Sequence, residues 1–364
     1  MKFLVFIFIL IVFNCASLFE KTWKTENKEI YKTIKVNLGE INSKVEIKSK
    51  GKIIFRNGKI ENEYNNSVEL DPESILYKSN LDFTENEFEF KGIKYRGDLE
   101  VVKDPKTSKT LLVNRLPLEE YLKGVVPSEM PASWHLEALK AQAVAARTYA
   151  INAIRQNKEQ SYHLESTTQS QVYSGTKRET KESNQAVMQT NGKILLYANT
   201  PINAFYHSNS GGITESSDQV WGTSTPYTTS KKSPYCEKAP NFNWEYKVSK
   251  DLVKEKLKLP EFTSILVVST TPSGRIKELE FKNEEESISK ISAVEFRKIL
   301  GANFIKSLLF KININDSFVV FNGKGFGHGV GMSQWGTKYQ ADEGKSYKEI
   351  LQYYYTDIDI ANID

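Results

Sequence analysis

The stretch from Ser133 to Ile154 reads SWHLEALKAQAVAARTYAINAI, and it constrains the fold more than any other part of the chain. Leu136, Leu139, Ala143, Ala146, Ala150 and Ile154 recur at helical spacing, and alanine is the best helix former. So many small side chains let such a helix pack closely against neighbouring backbone. The sequence before it has a different character. From Ile34 to about Leu112 short runs alternate apolar and polar residues, as in Val45-Glu46-Ile47-Lys48 and Lys52-Ile53-Ile54-Phe55, with turn residues at Asn57-Gly58 and Asn65-Asn66. That pattern predicts strands and hairpins. Beyond the alanine-rich segment, helices are expected at Lys181–Gln189, Asp251–Leu257, Ala293–Leu300 and Tyr347–Tyr355. Strands are expected at Ile194–Tyr197, Ile202–Tyr206, Ile265–Ser269 and Ile276–Phe281. The sum is an α+β protein with mainly antiparallel strands, an Ala-rich central helix and a Gly-rich strand or loop near the C-terminus.

At the N-terminus Lys2 precedes an unbroken apolar run, Phe3–Phe13, followed by Asn14-Cys15-Ala16-Ser17. A short positive region, a brief apolar segment and small residues read as an export signal over residues 1–19. The run is about half the roughly 20 residues of a membrane-spanning helix, although Leu18 and Phe19 would extend it toward an uncleaved anchor. Val12-Phe13-Asn14-Cys15 resembles a relaxed lipobox, which makes Cys15 a candidate lipidation site and would attach the protein to the membrane through its N-terminus. Asn14 is larger than the residue usual there, and the plain alternative is that Cys15 is part of a cleaved signal. Only Cys236 then remains, so no internal disulfide can form and stability must come from the core. Residues 20–34 are Lys/Glu-rich and read as a polar tether, and 35–95 as a β-rich N-terminal region. Net charge is +4 on 49 basic and 45 acidic residues, with no dense Lys/Arg stripe, which argues against a nucleic-acid partner.

Four clusters can carry chemistry. In Val125-Val126-Pro127-Ser128-Glu129-Met130-Pro131 the prolines restrict the backbone on both sides of Glu129. A carboxylate on a rigid corner suits acid–base work. The alternative is an acid near the N-terminus of the following helix, favoured by the macrodipole. That placement would lower its pKa, whereas a general acid needs it raised by burial. The second cluster is Tyr206-His207-Ser208-Asn209-Ser210-Gly211-Gly212. His207 and Ser208 are adjacent, so on a strand they face opposite ways, which favours substrate contacts or a structural histidine over a hydrolase pair. The third is Gly323–Gly336, whose glycines do not fit G-x-G-x-x-G and exclude a dinucleotide fingerprint. If extended, it would show Lys324, Phe326, His328 and Val330 on one face and bare backbone on the other, open to a ligand or a strand. The fourth is the polar segment Tyr162–Tyr173, a solvated loop or a contact surface. The histidines 135, 163, 207 and 328 lack metal-motif spacing, so no metal and no cofactor is expected.

Asn114-Arg115-Leu116-Pro117-Leu118-Glu119-Glu120-Tyr121-Leu122, the Glu129 motif, Ala138–Tyr149, Gln171-Val172-Tyr173, His207–Gly212 and Gly325–Gly336 together resemble the stage II sporulation protein D family, which includes an amidase enhancer. These blocks fall between about 95 and 355, so residues 96–364 read as the family's catalytic domain. The resemblance implies a lytic transglycosylase acting on peptidoglycan glycan strands, preferentially those stripped of stem peptides, with Glu129 as the catalytic acid and base. It also implies an exported envelope protein with peptidoglycan, and a cell-wall amidase, as partners. Arg147, His207, Ser208, His328 and Gln334 are the candidates for lining the cleft. Some family members bind zinc just before Q-V-Y through cysteines and a histidine. Here that segment has His163 with Glu165, Gln169 and Ser170 and no thiol, so no zinc is expected. The competing reading is a non-catalytic wall-binding enhancer of an amidase.

Overall fold

The computed structural model describes residues 21–23 and 28–363, apart from 76, 105, 106 and 285; the export segment and Cys15 lie outside the described residues. Its helices are α1 (Leu118–Glu129), α2 (Leu136–Gln156), α3 (Lys181–Gln189), α4 (Ser217–Trp221), α5 (Lys250–Leu257), α6 (Ala293–Leu300), α7 (Gln334–Asp342) and α8 (Tyr347–Tyr354). The strands are mainly antiparallel, and the protein is α+β.

The alternating N-terminal sequence forms one large sheet. Its strands run Leu164–Glu165, Thr33–Ile41, Thr110–Pro117, Asp98–Lys103, Lys78–Phe83, Val45–Asn57, Glu87–Phe90 and Ile93–Arg96, with Ile60–Leu70 also paired to Val45–Asn57. Lys78–Phe83 buries Ser79, Leu81 and Phe83 and leaves the alternate residues partly exposed, as a side-chain period of two requires. Asn57-Gly58 makes the expected tight turn. Asn65-Asn66 does not: it lies within Ile60–Leu70, where Asn66 takes φ +66° opposite a bulge of Val45–Asn57 that shifts the register from Lys48–Ser67 to Lys52–Asn65. The strand expected over Ile202–Tyr206 is reduced to Thr200–Pro201 and Tyr206–His207.

Helix α2 is the hub. Ala138, Ala141, Ala143, Ala145, Ala146 and Ala150 are all fully buried, so the helix is covered on several sides rather than along one stripe. Helices α1, α3, α7 and α8 pack around it. One apolar core continues from Ile34 and Val36 on the sheet through α1 and α2 to Ile350 and Leu351 on α8. The division expected at residues 95/96 cuts through this core, where the Tyr95 and Tyr173 rings pack 5.8 Å apart. The described part of the expected tether is also folded in. Lys21–Trp23 pairs in parallel with Asp359–Ile363, because the buried Trp23 ring packs on Tyr31, 5.1 Å away.

A second core lies within residues 244–321, built from Trp244, Phe262, Phe281, Phe296 and Phe321 between two three-stranded sheets, α5 and α6. The expected domain 96–364 thus contains an inserted module. A buried polar joint fastens it: Arg275 donates to the Ser210 and Ile213 carbonyls at 2.8 and 2.9 Å, and the buried Glu215 accepts from Thr271 and Ser273.

Candidate active site

A cleft of about 720 Å³ opens between the helical core and the inserted module, and Glu129 stands in its wall. Glu129 is the last residue of α1, because Met130 precedes Pro131 and is held extended at φ −138°, ψ 134°. Pro127 lies inside the helix rather than ending it. The expected placement near a helix N-terminus is therefore corrected. Glu129 sits at the negative end of the α1 dipole, which disfavours its ionised form instead of favouring it.

The carboxyl group is tightly held. Oε1 accepts the Val172 backbone N–H at 2.7 Å, and the Tyr206 hydroxyl and the Gln334 side chain also donate to it. Gln334 Nε2 lies 3.1 Å from the Glu129 backbone carbonyl as well. Behind these runs a directed chain: the Tyr121 hydroxyl donates to Gln171 Oε1 at 3.1 Å, and Gln171 Nε2 donates to Tyr206 Oη at 3.2 Å. Tyr206 Oη thus accepts from behind and has its own proton to give to Glu129. Burial raises the Glu129 pKa above its ordinary 4.5, against the three donors that lower it.

The opposite wall is the glycine-rich segment. It is not the extended strand expected. Gly325, Gly327, Gly329 and Gly331 have φ of +80°, +111°, +86° and +71°, so the chain winds through left-handed turns. Phe326 and His328 line the cleft, Val330 is fully buried and Lys324 is exposed. A side chain at Gly331 would strike the Phe205 carbonyl, and one at Gly329 the Arg275 guanidinium. The segment then returns to pair Met332–Ser333 in parallel with Tyr206–His207, which brings His328 and His207 within 5.6 Å, ring to ring.

Both imidazoles are held neutral. His328 is pushed down to about 4, by burial first and then by Arg275. Its Nδ1 accepts the Val330 N–H at 3.0 Å while its other nitrogen donates to the Tyr206 carbonyl. Burial, His328 and Arg275 also push His207 well below its ordinary value. His207 Nδ1 donates to the Val330 carbonyl at 3.1 Å, which leaves Nε2 as a buried acceptor with no protein partner among the described residues. The Phe205 and Trp221 rings pack 4.3 Å apart in a tilted pair beside His328, and Trp221 is 46% exposed at the cleft.

Comparison with known proteins assigns this architecture. The profile of the stage II sporulation protein family matches residues 106–197, and that of a domain of unknown function matches residues 229–331. Stage II sporulation protein D of Bacillus amyloliquefaciens is 35% identical over 274 residues, 69% of this chain and 76% of its own. The chain belongs to the stage II sporulation protein D family. An uncharacterised protein of Brachyspira hyodysenteriae is 35% identical over 79% of this chain and 78% of its own. The amidase enhancer of Bacillus subtilis is 33% identical over 80% of this chain, which spans 46% of that longer protein.

In this member of the stage II sporulation protein D family, Glu129, His207, Ser208, His328 and Gln334 line one cleft. Arg147 does not. Its side chain is fully buried, bound bidentately to Glu119 at 2.7 and 2.8 Å and to the Val187 and Lys193 carbonyls, so it braces α1 and α3 against α2. No hydrogen bond joins His207 to Ser208 among the described residues. The residue-by-residue reading missed Tyr206, Gln171 and the Val172 N–H, although both motifs containing them were noted. It also missed Tyr149, the last residue of the Ala138–Tyr149 block, together with Trp221 and Arg297, which carry no local signal of their own. Of the polar segment Tyr162–Tyr173, Thr168, Gln169 and Ser170 line the cleft.

Proposed function

We propose that this protein is a peptidoglycan lytic transglycosylase that cleaves the bond between N-acetylmuramic acid and N-acetylglucosamine, with Glu129 as acid and then base. One observation carries the reading: Glu129 is the sole carboxylate among the described lining residues, and its pKa is raised. Hydrolytic glycosidases use two carboxyl groups, one as acid and one to activate water or attack. With one, the nucleophile must come from the substrate itself. The 6-hydroxyl of the muramic acid is held close to its own anomeric carbon by the ring, which supplies proximity without a second side chain.

Because the Val172 N–H occupies Oε1, Oε2 is the oxygen to carry the proton. Protonated Glu129 gives it to the bridging oxygen, the glycosidic bond breaks and N-acetylglucosamine leaves as a free hydroxyl. The carboxylate then takes the proton of the 6-hydroxyl as that oxygen closes on the anomeric carbon, forming the 1,6-anhydro product. Tyr206 and Gln334 stabilise the transient carboxylate, and His207 Nε2 stands ready to accept from a sugar hydroxyl or acetamide. The exposed face of Trp221 offers a platform for a sugar ring. Export through residues 1–19, attachment at Cys15 and work in the cell envelope belong to the same proposal.

The relative named amidase enhancer favours a second reading, a wall-binding partner of an amidase without catalysis. Glu129→Gln separates them, since glutamine keeps the shape but cannot cycle the proton. Mass spectrometry of stripped glycan after incubation should show 1,6-anhydro ends falling by about 10²–10⁴-fold. Undiminished product formation would reject Glu129 as the catalyst.

A further inference from the structure

The cleft has one charged feature that this mechanism does not use. Arg297, on α6 of the inserted module, is half-buried in the cleft wall beside Ala302 and Asn303. Its Nε donates to the Ile305 carbonyl at 2.7 Å and one Nη2 proton to the Lys306 carbonyl at 3.0 Å. The Lys306 carbonyl also accepts the Gly327 N–H at 2.9 Å, so the guanidinium is tied to the same loop that carries His328. Three of its five N–H donors have no acceptor among the described residues, and no described carboxylate pairs with it. Burying a guanidinium without a counter-ion is unfavourable, and a planar fork held from behind is the usual receiver for a carboxylate.

The substrate class supplies few candidates. In a glycan of alternating N-acetylglucosamine and N-acetylmuramic acid, the hydroxyls and acetamides are neutral. The only ionisable group is the carboxyl of the lactyl ether on muramic acid. It is a free carboxylate where the stem peptide is absent, and a neutral amide where the peptide is attached.

We propose that Arg297 binds the free lactyl carboxylate of a muramic acid lying in the cleft, so that this module reads the absence of a stem peptide at that sugar. The inference rests on the glycan reading above and adds the residue that sets specificity. It also gives the inserted module a role: α6 completes a binding wall that the helical core leaves open.

The test uses the full chain carrying Glu129→Gln, so that strands are bound but not cut. Calorimetric titration compares peptide-free glycan with the same glycan after methyl esterification of its lactyl carboxyls. Esterification should weaken binding by about 10-fold or more, the effect of losing one charge-assisted contact. Adding Arg297→Gln should remove that difference while leaving the affinity for esterified glycan unchanged. Arg297→Lys, which keeps the charge without the fork, should retain part of it. Equal binding of free and esterified glycan by the Glu129→Gln protein would overturn the inference without touching the cleavage reading. So would an Arg297→Gln loss that falls equally on both ligands, because the arginine would then only brace its loop. If the Glu129→Gln protein binds neither glycan, the reading of the cleft itself fails.

Discussion

Replacing Tyr206 by phenylalanine removes one hydroxyl and tests the electrostatic design of the site. Gln171 Nε2 donates to that hydroxyl and also to the Ala146 carbonyl, both at 3.2 Å, so the Tyr206 proton is directed at Glu129. This bond favours the carboxylate and opposes the rise caused by burial. A hydrogen bond to a charged group contributes about 1.5–3 kcal/mol, and about 1.4 kcal/mol corresponds to one pKa unit. Tyr206→Phe should therefore raise the Glu129 pKa further, by an amount that the lost bond sets. The acid form starts the proposed reaction, so activity falls as pH rises through this pKa, and the alkaline limb should move upward by that amount. The maximal rate should fall as well, because the carboxylate loses a donor when it acts as base. Gln171 keeps its bond to Ala146, so the fold should lose only about 1 kcal/mol. Initial rates of 1,6-anhydro formation over roughly pH 4 to 9 measure the limb directly. A limb that stays in place or moves to lower pH would refute the coupling of Tyr206 to Glu129.

Three further outcomes follow from the same geometry. Arg147→Met should cost about 2–4 kcal/mol, by breaking an ion pair that is buried on its arginine side and stranding two carbonyls, and it should lower the urea midpoint without changing the glycan affinity of the folded fraction. Glu129→Gln should raise stability at neutral pH, since the ionised acid opposes folding there. That gain should vanish as pH falls below about 4.5, where both states are protonated, as thermal unfolding across pH would show. His328 has the opposite sign. With its pKa lowered from 6.5 to about 4, it contributes stability present above 6.5 and lost as pH falls toward 4, so His328→Gln should flatten the acid limb of melting temperature against pH.

Much of the architecture was legible because it is written locally. The alanine spacing located α2, Lys181–Gln189 matched α3, and Asn57-Gly58 gave a true hairpin turn. The errors came where distant contacts override local pattern. Alternating glycines read as an extended face, yet the loop must pass over Arg275 and Phe205, which only left-handed turns allow. Arg147 sits in a family motif and looked like a ligand residue, but the Glu119 carboxylate and two carbonyls already satisfy it. The polar segment 20–34 read as a tether, yet its residues Lys21–Trp23 pair with Asp359–Ile363 at the far end of the chain.

By itself the sequence determined that Glu129 would stand at a proline-fixed corner, since Met130 before Pro131 cannot continue a helix. It also determined that α2 would pack closely against its neighbours through small side chains. What Glu129 can do was decided by the tertiary structure. Its proton affinity depends on which end of which helix it occupies, and on donors from residues 172, 206 and 334. Charge solvation depends on distance in space, and no spacing along the chain records which groups folding will bring to one carboxylate.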